Sequence, residues 1–491
     1  MNSQVKGQDN LRAGLSTNSG GLHTRLLWVF FLIGASVLMT IPVWLIQTFL
    51  PFEYPIPWND ETAFLAQAYA LYREGTLYVS ALNLDRTVLW MPPGFMVMLA
   101  GLYNLLGYSF ELSRDISAFS FWLAGVLLLA QCGYLPSRRQ LWGLGVVLLA
   151  LINPFSLVIS NIARMEALCL LLWVLSLVAV NRERWIAGLG IVLISATVHF
   201  NAIYFLWPFL FEFIWGLKNR RLMSHAVWEW CALGLGLILF LGYAVYATRD
   251  WIGLMEDMRF QFGFKFGAGV MGGPVGVVSV TCAAVWNLGL SWIACRDKEV
   301  TLVARFSLYG TAFLAMAMNG NSMWYDYGLA LAGALMTLSF LALPWGGRWF
   351  RLVGVCLILV TAALGWRSTL QMDGLLPGVS HWHGNVLSTD DRHKVAMFLS
   401  EQPKGTRVSF GYSGWEPFFF NEMTAAGTDW NLSRNSVTEP FPVRDYDFRV
   451  LCDSSLLPAY LQIFEWEVPY QRRREDTGCR VFHHPTKQQV R

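Results

Sequence analysis

The feature that most constrains this chain is a succession of apolar runs punctuated by short clusters of basic residues. The first run, Leu26 to Phe52, carries no charged residue, and about 20 apolar residues suffice to cross a bilayer. Arg12 and Arg25 precede it, which places the N-terminus in the cytoplasm by the positive-inside rule. Further basic clusters stand at Ser137-Arg138-Arg139, Asn181 to Arg184, Lys218 to Arg221, Arg296-Asp297-Lys298 and Arg348 to Arg351. Keeping all of them on the cytoplasmic side puts spans near 26–50, 112–135, 141–160, 165–180, 185–199, 203–217, 226–247, 272–294, 301–318, 326–344 and 350–367. That is about eleven spans, an odd number, so the C-terminus is expected outside.

Composition agrees. Apolar residues make up 55% of the chain and charged residues 14%, against roughly 25% charged in soluble domains. The net charge of +3 is spread over short loops and makes no face for nucleic acid. Residues 1–25 read as a disordered cytoplasmic tail. The first apolar run is too long for a signal peptide and lacks a small-residue cleavage site, so it reads as an anchor.

Two stretches need separate treatment. Trp185 to Leu217 is too long for one span, and a single span would put its flanking basic clusters on opposite sides. Two short spans with His199 and Asn201 at the outer turn avoid this. Pro92 to Gly107 opens on Pro92-Pro93-Gly94. As a span it would invert every later loop, so it reads as interfacial or re-entrant.

After Arg367 the chain turns polar and charged. Strands are expected at Thr406–Tyr412, Asp447–Cys452 and Cys479–His483, and a helix at Arg392–Ser400 after the start signal Ser388 to Asp391. The expected organisation is therefore a polytopic α-helical membrane domain over 26–367, with a first outer loop at 51–111, and a small extracytoplasmic α/β domain over 368–491. Six cysteines lie in or beside spans as small apolar side chains. Cys452 and Cys479 lie in the outer domain and are disulfide candidates, although spacing alone does not pair them.

The chemistry-bearing residues gather at the outer ends. Asp60 and Glu61 follow the first span. Behind them Phe64, Leu65, Ala68, Leu71 and Tyr72 recur at helical spacing until Gly75, an amphipathic helix suited to an interface. Asn59 or Asp60 at its N-cap is also an ordinary structural choice. Glu166, in Asn161-Ile162-Ala163-Arg164-Met165-Glu166, ends a span on the same side, and Arg164 could simply pair with it. Ionisable groups near membrane depth are functional candidates, and a carboxylate beside a lipid can deprotonate a hydroxyl. A third group, Arg249, Asp250, Glu256, Asp257, Arg259 and Lys265 among aromatics, suits a lipid phosphate or a plain aromatic belt. His199, Arg114-Asp115 and the Trp324 to Tyr327 stretch, with Tyr325 and Asp326, also end spans on the outer side. No metal-ligand spacing stands out.

Asn59-Asp60-Glu61-Thr62 with Ala66, Tyr69 and Ala70, then Pro92-Pro93-Gly94, Leu106-Gly107 and Arg114, resemble the start of the GT-C glycosyltransferases. These membrane enzymes use polyprenyl-phosphate-linked sugars, as the lipid A aminoarabinose transferase and the protein O-mannosyltransferases do. The resemblance covers roughly residues 26–215, and the later spans in layout only. It implies Asp60 as the general base, with Glu61 beside it, and Glu166 at a second-loop acidic position where Asp is more usual. It also implies Arg259, with Lys265, near the donor lipid phosphate. The basic residue expected just before the proline-led segment is absent, Leu89-Trp90-Met91 standing there, and Arg86 is the nearest substitute. Tyr69, Arg164, His199, Tyr325 and Asp326 are further pocket candidates.

The implied reaction is an inverting transfer from a polyprenyl-phosphate sugar to a hydroxyl on a glycan, lipid or protein, at the periplasmic face of a bacterial inner membrane. It requires no cofactor, and a divalent metal stays open. A lipid-linked oligosaccharide ligase or polymerase shares the many spans and outer loops. A transporter would need polar groups along the spans, where this sequence has few.

Overall fold

The structure is a computed structural model that describes residues 29–41, 43–44, 59–78, 91–218, 226–267, 285, 289, 301–317, 327–343, 398, 401, 408–410, 433–434, 448–451 and 480–483. Its helices in chain order are α1 (Val29–Ile41), α2 (Asn59–Glu74), α3 (Gly94–Leu106), α4 (Phe110–Gln131), α5 (Ser137–Leu151), α6 (Pro154–Ser160), α7 (Met165–Asn181), α8 (Trp185–Ala196), α9 (Trp207–Lys218), α10 (Val227–Thr248), α11 (Trp251–Gly267), α12 (Thr301–Ala317) and α13 (Tyr327–Ala342). A 3-10 turn, Phe200–Phe205, leads into α9. Among the described residues, Phe110–Tyr134, Phe200–Leu217 and Val227–Thr248 are long and apolar enough to cross a membrane. The chain is a helical membrane protein. The predicted spans at 272–294 and 350–367 lie almost wholly outside the described residues.

Specific side chains sort the loops into two ends. At one end, Arg139 donates to the carbonyls of Leu341 and Leu343 at 2.7 and 2.6 Å. It thereby caps the C-terminus of α13, where a cation is favoured. Asn181 donates to Gln131 at 3.1 Å and Arg184 pairs with buried Glu229 at 2.7 Å, which brings the close of α4 and α7 to the openings of α8 and α10. At the opposite end, Glu61 meets Ala163 and Gly94 meets Thr197. Two of the predicted basic clusters therefore share one end, and the first predicted outer loop, the segment before Met165 and the Thr197–His199 turn share the other.

The two-span reading of Trp185 to Leu217 agrees with the packing. Trp185 meets Phe213 with ring centroids 6.4 Å apart, and a Cβ on Gly188 would lie 2.8 Å from the Phe209 ring. The chain therefore runs antiparallel about Thr197 to His199. Trp173 of α7 stacks on Phe205 at 4.3 Å and donates to Ser195 at 3.1 Å, fixing this hairpin to the core.

Three expectations shift. The predicted span at 141–160 is two helices, α5 and α6, parted at Ile152-Asn153. Pro154 lacks a backbone N–H and is tolerated only in the first turn of a helix. The predicted outer loop after residue 248 is helix α11, whose start is held by the Asp250 carboxylate accepting from Gly253 N–H at 2.9 Å. The spans are also less free of charge than expected. Glu212 of α9 and Arg305 of α12 form a buried ion pair, its second hydrogen bond 2.9 Å long.

Helix α3, the proline-led segment, has 13 residues. At 1.5 Å per residue it is about 20 Å long, short of the roughly 30 Å of bilayer hydrocarbon. Gly107, at φ 85°, ends it, as Gly75, at φ 70°, ends α2. Its first residue, Gly94, donates its N–H to the Thr197 carbonyl at 2.7 Å.

Among the described residues, four strands form one sheet in the order β2-β1-β3-β4: β1 (Val408–Phe410), β2 (Ser433–Arg434), β3 (Phe448–Leu451) and β4 (Arg480–His483). β1 pairs in parallel with β2 and β3, and β3 pairs antiparallel with β4, Val450 opposite Val481. Three of the four fall inside the strands read from the sequence. The fourth, β2, was not read from the sequence.

Close backbone approaches make these helices testable. A Cβ on Gly94 would lie 2.5 Å from the Thr197 oxygen, whereas one on Gly101 would meet nothing within 4 Å. Gly94→Ala should cost about 1–3 kcal/mol and lower the thermal midpoint in detergent, while Gly101→Ala should leave it level or raise it. A Cβ on Gly236 of α10 would lie 2.5 Å from the Gly190 oxygen of α8, and one on Gly234 meets nothing. Gly236→Ala should therefore lower the midpoint and Gly234→Ala should not.

Candidate active site

Asn59 and Asp60 lie within helix α2 and not at its cap. Glu61 follows, fully buried. Its partner is Arg114 in the second turn of α4, a helix started by Ser109, whose hydroxyl accepts from Leu112 N–H at 3.1 Å. Arg114 Nε donates to Glu61 Oε1 and its terminal nitrogen to Oε2, both at 2.9 Å. This two-pronged geometry is the strong form of the carboxylate–guanidinium contact. Oε1 also accepts the backbone N–H of Ala163 at 2.7 Å. One carboxylate thus ties together α2, α4 and the segment before α7.

The next residue in that segment carries the second acid's partner. Arg164 Nε reaches both oxygens of Glu166 at 3.2 Å and its terminal nitrogen reaches Oε1 at 2.9 Å. Both side chains are buried. Glu166 lies in the first turn of α7, where the helix dipole favours a negative charge. The Phe64 ring of α2 lies 5.6 Å from the Arg164 guanidinium, and Ser117 Oγ of α4 lies 3.5 Å from the Arg164 carbonyl oxygen. The two acidic stretches singled out in the sequence therefore meet, through Ala163 and through Phe64 beneath Arg164.

Four tyrosines hold α2 and α3 against the start of α4. Tyr69 meets Tyr108 edge-on at 4.9 Å, Tyr108 meets Tyr103 at 5.0 Å, and Tyr72 meets Tyr103 at 6.1 Å. Tyr103 and Ser113 share a hydroxyl hydrogen bond of 2.6 Å. Burial pushes the Tyr108 phenol well above its ordinary range, helped by the neighbouring Tyr103 and Tyr69, so it stays neutral at any working pH. Tyr69, a candidate pocket residue, is one wall of this cluster.

His199 is buried, and its Nδ1 accepts from Asn201 N–H at 3.0 Å, capping the 3-10 turn. It stands two residues from Thr197, where α3 docks. Arg259 is exposed on α11, and Lys265 lies further along the same helix. Arg86, Tyr325, Asp326, Cys452 and Cys479 lie outside the described residues. Among the described residues no three His, Cys, Asp or Glu side chains gather as a metal site would require.

Sequence reasoning gave Arg114 little weight, and it missed Tyr103, Tyr108 and the Ala163 N–H. The signal for Arg114 was present. An arginine inside an apolar helix needs a buried partner, and Glu61 is the acid that ends up within reach. The tyrosines gave no such signal, since aromatics at helical spacing are ordinary core.

No protein-family model matches the chain, and no curated protein matches it. Among solved structures, it is similar to the crystal structure of ArnT from Cupriavidus metallidurans bound to undecaprenyl phosphate. The TM-score is 0.47 at 11% identity, over 95% of this chain and 98% of that one. It is also similar to the same protein in the apo state, with a TM-score of 0.42 at 13% identity, over 94% of this chain and 98% of that one.

Proposed function

We propose that this chain is a membrane glycosyltransferase of the GT-C kind, drawing a sugar from a polyprenyl-phosphate donor and placing it on an acceptor hydroxyl at the periplasmic face of a bacterial inner membrane. The observation that carries the proposal is the Glu61 bridge to Arg114 and Ala163, which packs the Asp60 end of α2 against the second acidic segment. The sequence resemblance assigns the base to the same helix end.

In this reading Asp60 takes the proton of the acceptor hydroxyl as that oxygen bonds to the anomeric carbon. The bond from that carbon to the phosphate oxygen breaks on the opposite face, so configuration inverts. The polyprenyl phosphate leaves with the electron pair, and Asp60 holds the proton until solvent removes it. Asp60 lies at the Asn59 end of α2, one residue before the Glu61 anchor. Arg259, with Lys265 and Arg86, is assigned to the growing charge on the phosphate, since cations held in a partly dehydrated pocket stabilise such charge strongly. The acceptor can be a glycan, a lipid or a protein.

General base action is typically worth about 10²–10⁴-fold in rate. Asp60→Asn should therefore lose transfer by about that factor while keeping its thermal midpoint. Mass spectrometry of lipid-linked sugars is the direct check. Cells with Asp60→Asn and cells lacking the gene should accumulate the same polyprenyl-phosphate monosaccharide. A long lipid-linked oligosaccharide accumulating instead would identify a ligase or polymerase, and normal transfer by a folded Asp60→Asn enzyme would remove Asp60 as the base.

A further inference from the structure

We propose that Glu61 and Arg114 are positioning residues that hold Asp60 in register with the second acidic segment, and that Glu61 does not itself take the substrate proton. The proposal rests on the reading of Asp60 as the base. Glu61 is fully buried, and both of its oxygens accept from protein donors: Oε1 from Arg114 Nε and Ala163 N–H, Oε2 from the Arg114 terminal nitrogen. A carboxylate bound in this way points into the protein. Asp60 is the preceding residue on the same helical turn, so any movement of the Glu61 anchor moves the Asp60 backbone with it.

The contacts also explain why one residue can do this for two acids. Ala163 receives Glu61 through its backbone N–H, and its neighbour Arg164 grips Glu166. Arg114 reaches Glu61 across 53 positions of sequence and Ala163 reaches it across 102. The distance between the two acidic stretches is thus set through Glu61, with Arg114 fixing the orientation of its carboxylate plane. A tether of this kind governs catalytic geometry, for which an error of about 1 Å can cost about 10²-fold in rate.

The experiment compares Glu61→Asp and Arg114→Lys with wild type in the full-length, detergent-purified enzyme. The donor is the polyprenyl-phosphate monosaccharide that accumulates in cells lacking the gene. Glu61→Asp keeps the charge on a stem one methylene shorter, and Arg114→Lys keeps the charge without the fork. Expected is a fall in kcat of about 10–100-fold per folded molecule, with donor KM within about twofold and the acid limb of the pH–rate profile unmoved. A kcat within twofold of wild type in both variants would overturn the proposal. So would a displaced acid limb in Glu61→Asp, which would make Glu61 the base, or failure of both variants to fold, which would make the pair a determinant of folding alone. If the wild-type enzyme moves no sugar from that donor, the transferase reading itself fails, and the positioning role falls with it.

Discussion

The Glu61–Arg114 ion pair is the contact on which the candidate-site end of this bundle depends. Taking a carboxylate and a guanidinium out of water costs several kcal/mol per ion, and the loss is recovered only when geometry is good and further hydrogen bonds are made. Here the fork is bidentate and the Ala163 N–H adds a third bond. Those conditions exist only when α2, α4 and the segment before α7 are all in place, so the pair selects one arrangement of three elements far apart in sequence. Removing one partner would leave a buried charge, at a cost of about 3–5 kcal/mol.

The same logic recurs below it. Arg184–Glu229 joins α8 to α10 at the other end of the bundle, and Glu212–Arg305 joins α9 to α12. In lipid the hydrophobic effect does not press helices together, so close backbone packing and polar contacts must do so. α8 and α10 show the packing half of this arrangement. A Cβ on Gly190 would lie 2.5 Å from the Ala232 oxygen, and the first turns of the two helices are bridged by Arg184. α3 shows it again, since its glycine start allows a backbone hydrogen bond to Thr197 that any side chain would obstruct.

Much of this was legible in the sequence because it follows from periodicity and charge. The helix from Glu61 to Gly75 and three of the four described strands could be read from spacing and residue type, and the paired short helices around His199 from segment length and the flanking basic clusters. The break at Pro154 was visible in principle, but an apolar run across it outweighed one proline. Helix α11 was read as a loop because charges and aromatics alternate along it without a clean apolar face. The site was less legible than the fold. Asp60, Glu61 and Glu166 stood out as acids near membrane depth, but pairing is a property of three-dimensional neighbours. The local pairing of Arg164 with Glu166 could be read from two-residue spacing, but nothing in the spacing says that Arg114 belongs to Glu61, 53 positions away.

That pairing changes how adjacent carboxylates are understood. An acidic pair following a span looks like two equivalent candidates for proton transfer. In a helix, consecutive side chains diverge by about 100°, so the two acids of such a pair cannot point the same way. One of them, Glu61, is directed inward onto Arg114 and Ala163. The inward acid needs a buried cation, and the apolar helix α4 supplies one in its second turn. Asp60, the preceding residue, shares the helical turn that this anchor holds. A tightly paired carboxylate makes a good anchor and a poor base, so the proposed mechanism leaves proton transfer to Asp60 and the anchoring to Glu61.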